Sequence, residues 1–329
     1  AFRRRPVHLL PVLIAMKRLL VYLFGVVIVV VVADLFAGYA SKRYLQTHRL
    51  PGDCASVDYT IKDADQDVII LGNSVMLNSL MPSVLDDSLG MTVYNAASNG
   101  QQMAFFHSLF DCLLMRHRPK VVILGLYGGL MDHDGVGPRY NILSPYYGMG
   151  YHSVDSCLES VSPYQKYFLK SSFYRFNSIW WRMLLYHVVT PNTPGENGFI
   201  AKPAPPFPPE LMEATDTLPG NESQMEELRR LAQRCRREGI KLIALFPPRY
   251  YLPAASTPVS DRVREMGRET GFDVIDDTSD AWFLEHPELF YDNVHLNGDG
   301  ALAYSRRVAP RLRDIIRGEA RTDTAGGVE

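Results

Sequence analysis

Five short runs of this chain are apolar almost throughout, and each stops at a glycine, a proline or a polar residue. They are Asp67-Val68-Ile69-Ile70-Leu71, Met91-Thr92-Val93-Tyr94, Lys120-Val121-Val122-Ile123-Leu124, Lys241-Leu242-Ile243-Ala244-Leu245-Phe246 and Phe272-Asp273-Val274-Ile275. A strand buried on both faces loses the in–out alternation of a half-exposed one, so such runs predict parallel strands covered on both sides. The stretches between them carry apolar residues at helical spacing. Pro82 opens one such stretch, in a position suited to a first helical turn. Gln102 to His117 places Phe105, Leu109, Cys112 and Leu113 on one face, and Glu222 to Glu238 is charged except along Met225, Leu228, Leu231 and Ala232. Strands alternating with helices predict one α/β domain over residues 66–318.

The N-terminus has a different pattern. From Leu19 to Ala33 there is no charged residue; Asp34 interrupts, and the apolar run resumes through Ala40. Residues 19–40 match the roughly 20 residues needed to cross a bilayer. Lys17 and Arg18 precede the run, with Arg3, Arg4 and Arg5 further out, and Lys42, Arg43 and Arg49 follow it. This modest bias expects residues 1–18 in the cytoplasm and the main domain outside, on the periplasmic or cell-surface side. The alternatives are a signal segment cleaved near Gly38-Tyr39-Ala40 and a buried core helix. Residues 41–65 read as a polar linker and 319–329 as a flexible tail.

The alternation also breaks at about 132–219. This stretch is rich in aromatic residues (Tyr146, Tyr147, Tyr164, Phe168, Phe173, Trp180, Trp181), with a proline cluster from Pro203 to Pro209. It is expected to be an insertion, partly helical near Tyr164–His187. It would overhang the carboxyl ends of the strands, where open α/β sheets bind ligands; a second apolar sub-core is the other reading.

Composition narrows the function. The chain is 47% hydrophobic and 21% charged, ordinary for a globular protein, and its net charge of −2 argues against a nucleic-acid binder. Cys54, Cys112, Cys157 and Cys235 form no CxxC pair, which disfavours a zinc ribbon or a dithiol redox motif. Asp132-His133-Asp134 are adjacent, and adjacent side chains do not converge on one ion unaided. Arg249, after Pro247-Pro248, is a candidate for binding an anionic group. No metal or organic cofactor is implied.

The first strand ends in Gly72-Asn73-Ser74. A serine there is displayed at the sheet edge, where a helix N-terminus stabilises developing negative charge. It needs a base within hydrogen-bond reach. Asp292 and His295, three positions apart in Tyr291-Asp292-Asn293-Val294-His295-Leu296-Asn297, can share one side of a turn, the carboxylate orienting the imidazole. Asn297 suits the cap of a last helix from about Asp299 to Arg317.

Taken in this order, the blocks resemble the SGNH, or GDSL-like, hydrolase superfamily. Gly72-Asn73-Ser74 matches its first block, Gly100 after the second strand its second, and Asp292-x-x-His295 before the final helix its last. The resemblance implies a three-layer sandwich with a five-stranded parallel sheet in flavodoxin-like order. It also implies Ser74 as nucleophile, His295 as base, Asp292 as its orienter, and backbone N–H groups of Ser74 and Gly100 as oxyanion donors. The third block departs from the family: where an Asn is expected, the strand runs into Gly125-Leu126-Tyr127-Gly128-Gly129. Losing an oxyanion donor costs about 2.7–4 kcal/mol of transition-state stabilisation, unless Asn73, Asn99 or the N–H of Gly128 or Gly129 stands in. With its apolar N-terminus and insertion, the chain further resembles the membrane-anchored members that serve cell-envelope polysaccharide O-acylation. The implied function is a serine esterase or O-acyltransferase acting on an acylated glycan or acyl donor, alongside a membrane-bound acyltransferase. The alternative is a catalytically weak scaffold that binds glycan or partner. Tyr127, Tyr146, Tyr147, Trp181 and Arg249 are the candidate substrate contacts.

Overall fold

The computed structural model describes residues 9–50, 52–186, 196–213, 219–252 and 257–319. Arg3, Arg4 and Arg5, His187 at the end of the expected helical region, and nearly all of the expected tail (320–329) lie outside the described residues. Five parallel strands, β1 (Val68–Leu71), β2 (Val93–Asn95), β3 (Val121–Gly125), β4 (Lys241–Phe246) and β5 (Asp273–Asp276), form one sheet in the order β2-β1-β3-β4-β5. This is the flavodoxin-like order, with its switch point between β1 and β3.

Successive strand residues go to opposite faces. Ile69, Leu71, Val122, Leu124, Leu242 and Ala244 enter one buried cluster; Val68, Ile70, Val121, Ile123, Ile243 and Leu245 enter the other. The uniform hydrophobicity of these runs therefore serves two cores. On the first face lie α2 (Ala55–Lys62), α5 (Met103–Leu114), α10 (Glu222–Glu238) and α11 (Pro258–Thr270); on the second lie α4 (Pro82–Leu89), α12 (Ala281–Leu284) and α13 (Gly298–Arg317). Two short helices, α3 (Ser74–Leu77) and α6 (Gly128–Met131), follow β1 and β3 at the carboxyl edge. The expected three-layer α/β sandwich is the observed one.

α1 (Leu9–Thr47) is one unbroken helix, longer at both ends than the 19–40 segment. Among the described residues it is the one helix long and apolar enough to cross a membrane, and its apolar window is wholly unburied. The expected linker at 41–65 is a correction. α1 runs on to Thr47, a short turn of 3₁₀ helix (Gly52–Cys54) follows, and α2 packs on the sheet. Leu45, Leu50, Cys54, Val57 and Ile61 are buried there. Asp58, fully buried, accepts from the Leu50 N–H (3.0 Å), pairs with the Lys62 ammonium (2.7 Å) and takes the Tyr146 hydroxyl. Burial pushes its carboxyl up in pKa, and these bonds offset only part of that. The join between α1 and the domain is thus core, not tether.

The insertion carries α7 (His152–Glu159), α8 (Gln165–Phe168) and α9 (Ser172–Tyr186). α7 packs on α5, and α9 on α1. All four cysteines are free and buried; burial pushes the thiols of Cys112 and Cys235 up to about 12 and that of Cys157 to about 11, so none of the three is a ready nucleophile.

Candidate active site

Ser74 is the first residue of α3. Asn73 caps that helix, its side chain accepting from the Val75 N–H at 3.0 Å. Gly72 has φ +152°, and a Cβ there would sit 2.6 Å from Cγ of Met76. A Cβ on Gly125 would approach the same Cγ to 1.5 Å. Met76 therefore lies across two neighbouring strand ends that only glycine leaves open, and this packing seats the turn that displays Ser74.

The other half of the site comes from the loop before α13. Phe290 and Leu296 form an antiparallel bridge that closes it. The Asn293 side chain donates to the carbonyls of Tyr250 (2.8 Å) and Glu210 (2.7 Å), and the Tyr250 N–H donates to the Asn293 carbonyl (2.9 Å), tying the loop to the chain beyond β4. Asn297 caps α13 through the Gly300 N–H at 3.0 Å and donates to the Glu288 carbonyl at 2.7 Å.

The two halves meet. Ser74 Oγ lies 2.8 Å from His295 Nε2, and His295 Nδ1 lies 2.9 Å from both carboxylate oxygens of Asp292. Asp292 Oδ1 also accepts from the N–H groups of Val294 and His295, each at 2.8 Å. Burial alone would raise the Asp292 pKa, but the His295 ring and these amides outweigh it and hold the carboxyl at about 2. An ionised Asp292 selects the tautomer with the proton on Nδ1, leaving Nε2 to accept from the serine hydroxyl. The three groups have the geometry by which a serine is activated for attack on a carbonyl.

The loop after β2 is stitched to this turn by the Ser98 N–H donating to the Gly72 carbonyl at 2.9 Å, which brings Gly100 (φ +66°) to the same edge. Among the described residues the N–H groups of Ser74 and Gly100 have no partner. The Asn73 side-chain oxygen accepts at the helix cap, which leaves its NH2 group to donate, and Asn99 lies half-buried in the turn before Gly100. Gly128 starts α6. Residues 125–129, from the last residue of β3 onward, include no asparagine.

The aromatic candidates separate. Tyr127 is half-buried against the core and lies over Gly129. Tyr146 is fully buried with Asp58, so its expected place in the cleft is corrected: its hydroxyl serves a buried carboxylate rather than a substrate. Tyr147 donates to Glu159 at 2.7 Å, which pushes its phenol up to about 12. Trp181 is exposed on α9, the helix packed against α1. Arg249 is buried, its guanidinium 5.3 Å from the centre of the Tyr251 ring. Asp134 accepts from Ser223 Oγ at 2.6 Å.

Other residues border the site instead, from both ends of the insertion. Arg139 lies against Gly100, within 3.3 Å of where a Cβ would stand, and the Gln101 side chain donates to its carbonyl at 3.0 Å. At the far end, the Ile200 N–H donates to Leu77 (3.2 Å), and the Lys202 ammonium stands 4.7 Å from the centre of the Tyr291 ring. The proline-rich segment continues to Met212, which bridges to Tyr251. Nothing in these residue types marks them in sequence; only the strand topology brings them here.

No protein-family model matches the sequence, and no curated protein matches it. Among solved structures, a G-D-S-L family protein from Desulfitobacterium hafniense DCB-2 is similar at 12% identity over 74% of this chain and 97% of that one, with a TM-score of 0.39. TesA is similar at 12% identity over 75% of this chain and 98% of that one, with a TM-score of 0.37. The strand order of the present chain is that of a doubly wound, flavodoxin-like parallel sheet, with Ser74 after the first strand and the Asp292–His295 loop before the last helix.

Proposed function

We propose that this protein is a serine esterase or O-acyltransferase, anchored in a membrane by α1 and acting on acyl groups of a cell-envelope glycan on the extracytoplasmic side. The observation that carries the chemistry is the continuous relay from Ser74 through His295 to Asp292, with every contact at 2.8–2.9 Å. Ser74 Oγ attacks the acyl carbonyl as its proton passes to His295 Nε2. Ionised Asp292 stabilises the imidazolium, and the N–H groups of Ser74 and Gly100 receive the developing oxyanion. Collapse of the tetrahedral intermediate expels the alcohol, which takes the proton from His295 and leaves Ser74 acylated. Water then completes an esterase cycle; a sugar hydroxyl completes a transfer. Either acceptor loses its proton to His295 as it attacks, and Ser74 recovers that proton when the acyl group leaves.

With two backbone donors and no third-block asparagine, simple esters should turn over slowly, because they bring no remote binding energy to position the carbonyl. The test is aryl acetate turnover by the full chain, with and without a glycan acceptor. A slow rate lost in Ser74→Ala supports the reading. Added glycan that accelerates alcohol release and itself becomes acylated assigns transfer. A rate indifferent to Ser74→Ala, with glycan binding retained, gives the scaffold alternative instead.

A further inference from the structure

α9 meets α1 through a contact unusual for an apolar helix. Asp34 accepts hydrogen bonds from Ser171 Oγ (2.8 Å), the Ser172 N–H (3.0 Å) and the Phe173 N–H (2.7 Å). The two amides belong to the first turn of α9, where a helix leaves its N–H groups without internal partners and its dipole favours a carboxylate. Further along, Ser172 packs so closely on Gly38 that a Cβ there would lie 2.2 Å from its Oγ, and Trp180 Nε1 donates to Ser41 Oγ at 2.7 Å. Positions 34, 38 and 41 form one stripe of α1, while Leu35, Phe36 and Tyr39 on its other sides are exposed. α9 therefore runs beside α1 in the same direction, with its first turn level with Asp34.

That level is set by the apolar run. About 22 Å of helix separates Leu19 from Asp34, and about 33 Å separates Leu19 from Ser41. With Leu19 at one boundary of a hydrocarbon layer roughly 30 Å thick, Asp34 lies about 8 Å inside the other and Ser41 at the headgroups. A carboxylate at that depth is costly unless paired, and α9 pairs it. The start of α9 and α8 before it thus stand at the depth where interfacial helices sit. There they expose Tyr164, Tyr167, Phe168 and Phe173. The ammonium groups of Lys166 and Lys170 stand 5.2 and 5.7 Å from the centre of the Tyr167 ring. Aromatic rings with flanking lysines are what a membrane–water interface selects.

We propose that α8 and the first turn of α9 form a bilayer-contacting surface, clamped to the membrane helix through Asp34, so that the insertion seats the α/β domain on the lipid rather than on a partner protein. This rests on reading α1 as a membrane span. The test uses the full chain in vesicles of zwitterionic and anionic lipid, with nitroxide labels on single cysteines introduced at Val29, Phe168, Phe173 and, as an aqueous reference, Glu265. The four native thiols are buried, so the introduced one is the reactive one. Labels at 168 and 173 are expected to collide with oxygen several-fold more than with a polar nickel chelate, as at 29 and opposite to 265. Aqueous behaviour at 168 and 173 with a lipid signature at 29 overturns the surface but leaves the anchor standing; an aqueous signature at 29 overturns both. Asp34→Leu, which strands the Ser172 and Phe173 amides, should raise the chelate accessibility at 173 several-fold. Unchanged accessibility there overturns the clamp.

Discussion

At the carboxyl edge of the sheet, Ser74 and His295 share a hydrogen bond across 221 positions of sequence, each on a short element held by glycine packing, a cap or a closed loop. In the middle of the insertion, polar contacts are as numerous but point elsewhere: Tyr146 to Asp58 of α2, Trp180 to Ser41 of α1, Ser171 to Asp34. The first region gathers groups that can exchange a proton. The second gathers groups that satisfy one another and join the domain to its N-terminal helix. An aromatic-rich insertion at the carboxyl end of a strand is thus two things in one molecule, a rim at its two ends and a brace in its middle. Changes in the two regions should separate activity from stability.

The largest effect is expected at the relay. Ser74→Ala or His295→Ala should each lower ester turnover by about 10³-fold or more, and the double variant should be scarcely worse, because nucleophile and base act as a unit. Thermal melts should barely move. Multiplying effects in the double variant would mean the two groups do not act together.

Gly125→Ala should cross the divide. The added methyl meets Met76, which is fully buried, and overpacking of this kind costs about 1–3 kcal/mol. Because Met76 sits in the helix that Ser74 begins, activity should fall as well. Chemical denaturation and turnover measured on the same sample check both halves. A loss of stability with full activity would show that the turn does not depend on this packing.

Tyr146→Phe should act on the brace alone. It removes the phenol from Asp58 and leaves a buried carboxylate short of one donor, a cost of about 1–3 kcal/mol. Turnover per folded molecule should be unchanged, and a drop in kcat would return Tyr146 to the site.

The smallest effect concerns pH. Asp292 is held at about 2, below its ordinary 3.8. Its contribution to stability is therefore complete above about pH 4 and is lost as pH falls through 2. The difference in melting temperature between wild type and Asp292→Asn should be constant above pH 4 and shrink below it. With Asp292 close to half exposed, the shift should be small. A difference that grows on acidification would reverse the sign of the linkage.

Much of the fold was legible because its signals are local. Glu222–Glu238 and Lys241–Phe246 form over the residues their patterns mark, bounded by the Asn221 cap and a left-handed Gly239. The Asp292–His295 spacing and the Asn297 cap are equally local. Residues 41–65 misled because Lys42, Arg43, Arg49 and Asp58 outweigh, in mean polarity, the widely spaced Leu45, Leu50, Val57 and Ile61 that are buried. Tyr146 misled for a related reason. Nothing in an isolated tyrosine distinguishes a ring that stacks on substrate from one whose hydroxyl serves a carboxylate 88 positions back. Arg139 and Lys202 were invisible because their nearness to the site follows from where the insertion leaves and rejoins the sheet.

The central claim is that Ser74 is an activated nucleophile, and covalent trapping tests it most directly. The purified chain treated with a fluorophosphonate should gain one adduct, mapped to Ser74 by peptide mass. Ser74→Ala should abolish the adduct, and His295→Ala should slow its formation by orders of magnitude. A folded protein that stays unlabelled, or labels equally well without Ser74 or His295, would contradict it.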